Sequence, residues 1–248
     1  MKLLLMRLID MVATRTADVI ILDTEEHRAR LPEALRGRGV VVPVGAQRAW
    51  RNARRLAAPS QAPQNHELSI IFYGLFTPLQ GATVIARALR LLEEQGVGFH
   101  AKLIGSGQDS DAVRAELSGA TSVEQIDWVP ATELPALVAE HDVCLGIFGT
   151  TDKARSVVPN KVYQGLAAGC AVVTSDTPPQ RRILRGAAVL TPAGDAEALA
   201  EALRELAENP DKLAAARDAA RKGAGRFAPA AVVETLLPRI PGRADTRR

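Results

Sequence analysis

The run Val158-Pro159-Asn160-Lys161-Val162-Tyr163-Gln164-Gly165-Leu166-Ala167-Ala168-Gly169-Cys170-Ala171-Val172-Val173-Thr174 holds the residues best placed to do chemistry. It reads as a short turn, a helix of small residues opened by Pro-Asn-Lys, a glycine stop and a buried strand. A helix start presents free backbone N–H groups and the positive end of the helix dipole. With Asn160 and Lys161 added there, the position suits an anion, above all a diphosphate. Lys153 and Arg155 flank the same loop. Three cations around a turn shaped by glycine and proline fit a pyrophosphate; a solvated basic loop is the other reading. Gln164 lies three residues after Lys161, on the same helix face. Its amide can donate to and accept from a ribose diol, or it is a plain surface glutamine. Tyr163 reads as core or rim.

A second pattern is Gly105-Ser106-Gly107, which follows one predicted strand and precedes a helix. Gly74 opens a similar loop further upstream. Such glycines either let a phosphate or ribose lie against the backbone or make a tight strand-to-helix turn. A dinucleotide fingerprint needs a third glycine, and Ser110 fills its place. Asp109-Ser110-Asp111 could hold a metal, but at a helix start capping and dipole neutralisation explain the acids as well. His27, His66 and His141 read as surface residues and His100 as part of a strand; no pair has metal-ligand spacing, and no metal or other cofactor is expected. Cys144 and Cys170 sit in apolar surroundings and read as buried thiols in a reducing compartment rather than a disulfide.

The elements that must position these residues alternate. Strands are expected at 18–24, 39–44, 68–73, 99–104, 123–129, 143–148, 171–174 and 187–190. Helices are expected at 1–16, 25–36, 132–140, 196–207 and 211–222, from Asp111, and over the stripe Ile85, Ala88, Leu89, Leu92. That order predicts an α/β fold: a Rossmann-like parallel sheet flanked by helices, plus a partial second lobe. Residues 1–45 form the partial lobe, 46–66 a linker, 67–238 the main domain and 239–248 a frayed tail. Ligands in such sheets bind at the carboxyl ends of the strands, so the informative loops are 74–81, 105–109, 128–131 and 149–161.

Bulk properties narrow the classes. The net charge is +3, with Arg243, Arg247 and Arg248 at the tail, and aromatics make up only 4%. A nucleic-acid footprint needs a basic stripe with stacking aromatics, and neither is present. The apolar start, residues 1–12, is interrupted by Arg7 and Asp10 and is too short to span a bilayer. A cytoplasmic protein is expected, with peripheral membrane contact through weak attraction to anionic lipid.

From Leu68 to about Pro229 the chain resembles the C-terminal, nucleotide-sugar-binding half of GT-B glycosyltransferases of the family 4 type. The resemblance rests on Tyr73-Gly74-Leu75-Phe76-Thr77-Pro78-Leu79-Gln80-Gly81, on Leu103-Ile104-Gly105-Ser106-Gly107, on Asp127-Trp128-Val129-Pro130 and on the small-residue helix with its following strand. It implies a glycosyltransferase that takes a nucleoside-diphosphate sugar, with UDP favoured, and a carbohydrate or lipid-linked acceptor. Lys153, Asn160, Lys161 and Gly74 would then hold the diphosphate. Gln164, Gly105, Gly107, Trp128 and Val129 would meet the ribose and base. Two features depart from the family. Leu75 and Gln80 occupy the places of the usual arginine and lysine, and Ser156 and Gln164 those of the usual glutamates. Lys161 and Lys153 are therefore expected to replace the absent cations, and a Lys-x-x-Gln helix start occurs in some branches of the superfamily. Residues 1–45 resemble only the end of the acceptor lobe. The alternatives are a non-catalytic or truncated donor-binding module that needs a partner chain for the acceptor side, and a nucleotide-sugar epimerase. The epimerase would need carboxylates around the sugar, and the expected pocket is poor in them.

Overall fold

The computed structural model describes residues 2–56 and 67–240. Its strands are β1 (Ile20–Leu22), β2 (Gly39–Val41), β3 (Leu68–Tyr73), β4 (Phe99–Ile104), β5 (Val123–Ile126), β6 (Val143–Leu145), β7 (Ala171–Ser175) and β8 (Val189–Thr191). The helices are α1 (Lys2–Thr16), α2 (Glu25–Ala29), α3 (Arg48–Leu56), α4 (Ala82–Glu94), α5 (Ser110–Glu116) and α6 (Leu134–Ala139). They continue with α7 (Asn160–Ala168), α8 (Pro178–Leu184), α9 (Ala196–Glu208), α10 (Pro210–Ala224) and α11 (Pro229–Glu234).

Six strands make one all-parallel sheet in the order β5-β4-β3-β6-β7-β8. The chain therefore starts in the middle at β3, runs outward through β4 and β5, then returns to the other side of β3 with β6. That reversal opens a crevice beyond the carboxyl ends of β3 and β6. Strand residues alternate between two layers, as a pleat requires. Ile70, Phe72, Leu103, Leu145 and Val173 pack with Ile85, Leu89 and Leu92 of α4 and with Leu199 and Leu203 of α9. Ile71, Tyr73, Cys144 and Val172 pack with Trp50, Val138, Val162 and Leu166 on the other face. Sheet and helices on both faces match the expected fold class.

At the amino ends of the strands, Asp142 is buried and accepts from the Ser69 backbone N–H at 3.1 Å and hydroxyl at 2.7 Å. The Arg217 guanidinium donates to its other oxygen at 2.8 Å. This network ties β3 to α10 with its charge compensated. The first segment forms a separate pair, β1 beside β2, both parallel. Thr24 is buried and its hydroxyl donates to the Ser156 carbonyl at 2.8 Å, while Arg30 donates to the Ser156 hydroxyl at 2.7 Å. Beyond it, Ala46 N–H bonds the Phe227 carbonyl at 3.0 Å.

Several expectations need correction. The polar helix expected over 25–36 ends at Ala29, and a 3-10 turn, Glu33–Arg38, follows Pro32. Proline lacks the N–H that the helix interior needs. The segment expected as a linker begins with helix α3, whose Trp50 and Ala53 are buried; the rest of it, 57–66, lies outside the described residues, as do His66 and most of the tail. Helix α8 was not among the expected elements; Pro178 and Pro179 open it, and proline suits the first helical positions. The two cysteines are buried and free, as expected. His141 is not a surface residue: it is buried, its Nδ1 lies 2.8 Å from the Leu137 carbonyl, and burial pulls its pKa down. Among the described residues no helix is long and apolar enough to cross a membrane.

Candidate functional site

The crevice at the strand-order reversal is shaped by backbone meeting backbone. A Cβ on Gly81 would stand 2.6 Å from the Gly149 nitrogen, and one on Gly149 would stand 2.1 Å from the Pro78 carbonyl oxygen. The loops after β3 and β6 therefore touch directly, and the Phe148 N–H donates to the Gln80 carbonyl at 3.0 Å. Gly105 presses on the neighbouring loop in the same way. Its φ is +139°, and a Cβ there would meet the Gly74 carbonyl oxygen at 1.9 Å. The Gly107 N–H is taken by the Ser110 hydroxyl at 2.8 Å. These glycines are required by the packing of one loop on the next.

Lys161 rises from the first turn of α7 into this crevice and is only 6% exposed. Its Nζ donates to Gln80 Oε1 at 2.6 Å and stands 3.7 Å above the centre of the Phe72 ring. A Cβ on Gly74, whose φ is +140°, would come within 3.0 Å of the same Nζ. Its hydrogen-bond partner is a neutral amide, and no carboxylate pairs with it among the described residues. Burial pulls the Lys161 pKa down to about 7, with the nearby Cys144 thiol opposing that shift. A buried cation held by an amide and a ring face is poorly compensated. The same burial pushes the Cys144 thiol up to about 12, so it stays protonated.

Gln164, one turn further along α7, accepts from the Tyr73 hydroxyl at 2.9 Å through Oε1. Tyr73 closes β3, is buried, and stacks on Trp50 of α3 with centroids 5.8 Å apart and planes 15° from parallel. Burial holds its hydroxyl well above the ordinary phenol pKa, and the Cys144 and Cys170 thiols add to that shift. Lys161 Nζ lies over the ring of the same tyrosine, 5.9 Å from its centre.

The structure brings Gly74, Gly105, Lys161 and Gln164 to one corner. Lys153 and Asn160 are exposed, and no hydrogen bond links either to that corner among the described residues. Arg155 donates to the Thr150 carbonyl at 3.1 Å. A polar cavity of about 350 Å³ opens beside Gly105, lined by Phe76, Ser110, Arg114, Gln125 and Asp127. Trp128, next in the chain, is 74% exposed, and Val129 packs partly against the inner layer. Asp109 stands at the N-cap of α5 without a side-chain capping bond, and Asp111 pairs with Arg114 at 2.8 Å. Tyr163 is core, edge-on to Phe227. Sequence reasoning missed Gln80 and Tyr73 as site residues; Gln80 stood out only as a lost lysine, and nothing in the pattern marked Tyr73.

The reversing six-stranded parallel sheet with helices on both faces matches the GT-B fold. The solved structures agree. A TarM variant from S. aureus, determined with Fondaparinux, alpha-GlcNAc-glycerol and UDP, superposes with a TM-score of 0.69 at 11% identity, over 91% of this chain and 44% of that one. Anabaena HepE with UDP and glucose gives 0.69 at 16% identity, over 94% and 65%. Sucrose-phosphate synthase from Thermosynechococcus elongatus gives 0.68 at 18%, over 91% and 59%. The chain thus spans less than two thirds of the length of each. A sequence search among curated proteins gives no match. Residues 67–209, more than half of the chain, match the family described as glycosyl transferases group 1, and the chain belongs to that family.

Proposed function

We propose that this chain binds a nucleoside-diphosphate sugar, with UDP as the leaving group, and transfers the glycosyl unit to a carbohydrate or lipid-linked acceptor, in the manner of the family 4 type. The observation that carries this reading is the Lys161 ammonium: buried, matched by no carboxylate, and facing a glycine-cleared approach at Gly74. A diphosphate there supplies the missing counter-charge. As the glycosidic bond breaks, negative charge grows on the leaving diphosphate. Lys161 and the α7 N-terminal amides then stabilise the transition state more than the ground state. Lys153 and Asn160 approach from the exposed rim, and Gln164 takes the ribose. The base enters the cavity beside Gly105, next to Trp128 and Val129. None of these steps calls on a metal. The TarM and HepE structures were determined with UDP, which supports the choice of base.

Calorimetric titration with UDP, GDP and ADP, repeated with Lys161→Ala, tests this. One diphosphate, UDP, binds the unaltered chain, and K161A loses about a hundredfold in affinity, the scale of a charge-assisted contact. Equal affinity in K161A removes Lys161 from the site.

A second reading, a donor-binding module whose acceptor lobe comes from another chain, is favoured by one observation. Leu5, Leu8, Ile9 and Val12 of α1 are each about half exposed, and Ile21 of β1 is 56% exposed. A two-stranded parallel pair does not ordinarily stand with open faces. UDP binding without turnover of a UDP-sugar across candidate acceptors, and turnover on adding the partner, distinguishes the module from a self-sufficient enzyme. Contact with a membrane surface and a cytoplasmic location belong to the same proposal, and vesicle co-sedimentation checks the contact.

A further inference from the structure

Gln164 can face a ribose with either of its polar atoms, and the fold makes the two unequal. The Tyr73 hydroxyl donates to Oε1 at 2.9 Å. Tyr73 is buried and has little freedom to move, because its ring lies flat against Trp50. A phenol in that setting keeps its proton and remains a donor. Oε1 thus already accepts one hydrogen bond, and the Nε2–H2 group is the part of the Gln164 amide that makes none among the described residues.

We propose that Tyr73 is a positioning residue that orients the Gln164 amide, so that Gln164 recognises the ribose as a hydrogen-bond donor to a hydroxyl oxygen. This rests on the donor-site reading above and deepens it. Trp50 braces Tyr73, Tyr73 fixes the amide, and the amide selects a ribose over a sugar lacking that oxygen. Lys161, held by Gln80 and the Phe72 ring, takes the diphosphate independently.

Three probes separate these parts: UDP, its 2′-deoxy and 3′-deoxy analogues, and inorganic pyrophosphate. The unaltered chain binds UDP about tenfold more tightly than the deoxy analogue lacking the recognised oxygen, the scale of one neutral hydrogen bond. In Tyr73→Phe, which keeps the ring and its stack, that ratio falls to about one to threefold while pyrophosphate affinity stays within about twofold. Gln164→Ala gives the same ratio, and adding Y73F to Q164A changes it no further, which a merely structural role for the hydroxyl would not produce. A full tenfold ratio retained in Y73F overturns the proposal and leaves the diphosphate site standing. Absence of both UDP and pyrophosphate binding to the unaltered chain overturns both. Should Y73F fail to fold, NMR of the unaltered chain decides. The Gln164 side-chain NH2 resonance, assigned by its loss in Gln164→Glu, shifts on adding UDP and not on adding pyrophosphate. A resonance unmoved by saturating UDP refutes the idea.

Discussion

At the scale of single residues, Lys161 is where binding and stability pull apart. Its folded pKa of about 7 lies below the ordinary 10.5, because burial penalises the charged form. Between those values the unfolded chain holds more protons than the folded one. The Lys161 contribution therefore raises stability as pH climbs from about 7 toward 10.5, and its destabilisation is complete below about 7. Diphosphate binding has the opposite sign, since it needs the proton. UDP affinity should fall about tenfold per pH unit above 7, until the pKa of the bound state is reached. Calorimetry in buffers of different ionisation enthalpy will show proton uptake on binding near pH 8. Lys161→Met removes the charge and keeps the stem. It should bind UDP poorly, melt no lower than the unaltered chain, and lose the pH dependence of both. Lys161 was legible in the sequence because a helix-start signal and a charge coincide at one position. Gln80 was not, because its contact with Lys161 spans 81 positions and exists only once the loop after β3 meets the start of α7.

At the scale of elements, the loop glycines explain themselves once neighbours are considered. Gly105→Ala should destabilise by about 2–6 kcal/mol, combining an unfavourable φ with a collision against the Gly74 carbonyl. Gly119, φ +78° with open space around it, is the control: Gly119→Ala should lose roughly 1 kcal/mol. Urea denaturation measures both. Sequence patterns located the strands well where burial is two-sided, as in Leu68–Tyr73, whose six residues are all buried. They failed where a tertiary contact decides. Helix α3 carries arginine at four of its nine positions, so little in its composition announced the buried Trp50. At β6 the regular strand ends at Leu145, although the Gly146 N–H still donates to the Val173 carbonyl at 2.8 Å and the Ser175 N–H to the Ile147 carbonyl at 3.1 Å. The pattern alone ran the strand on to Phe148.

At the scale of the whole molecule, the two ends of the described chain differ. The six-stranded domain buries its central strands on both faces, whereas α1 turns six large apolar side chains to solvent: Leu5, Met6, Leu8, Ile9, Met11 and Val12. Replacing Leu8 and Ile9 together by lysine should change stability by no more than about 0.5 kcal/mol, since each is half exposed and neither joins the buried core. It should also reduce self-association in sedimentation velocity, which would mark that face as one made for covering.

Trp50 has a further consequence. The family match begins at residue 67, yet the ring that braces Tyr73 lies seventeen positions upstream (67 − 50 = 17). Similarly, Arg217, which neutralises Asp142 beneath the sheet, falls after the match ends at 209. Kinship borders and mechanical borders therefore do not coincide here. A fragment trimmed to 67–209 would keep every recognisable signature and lose both buttresses, and we expect it to melt early and to treat ribose and deoxyribose alike.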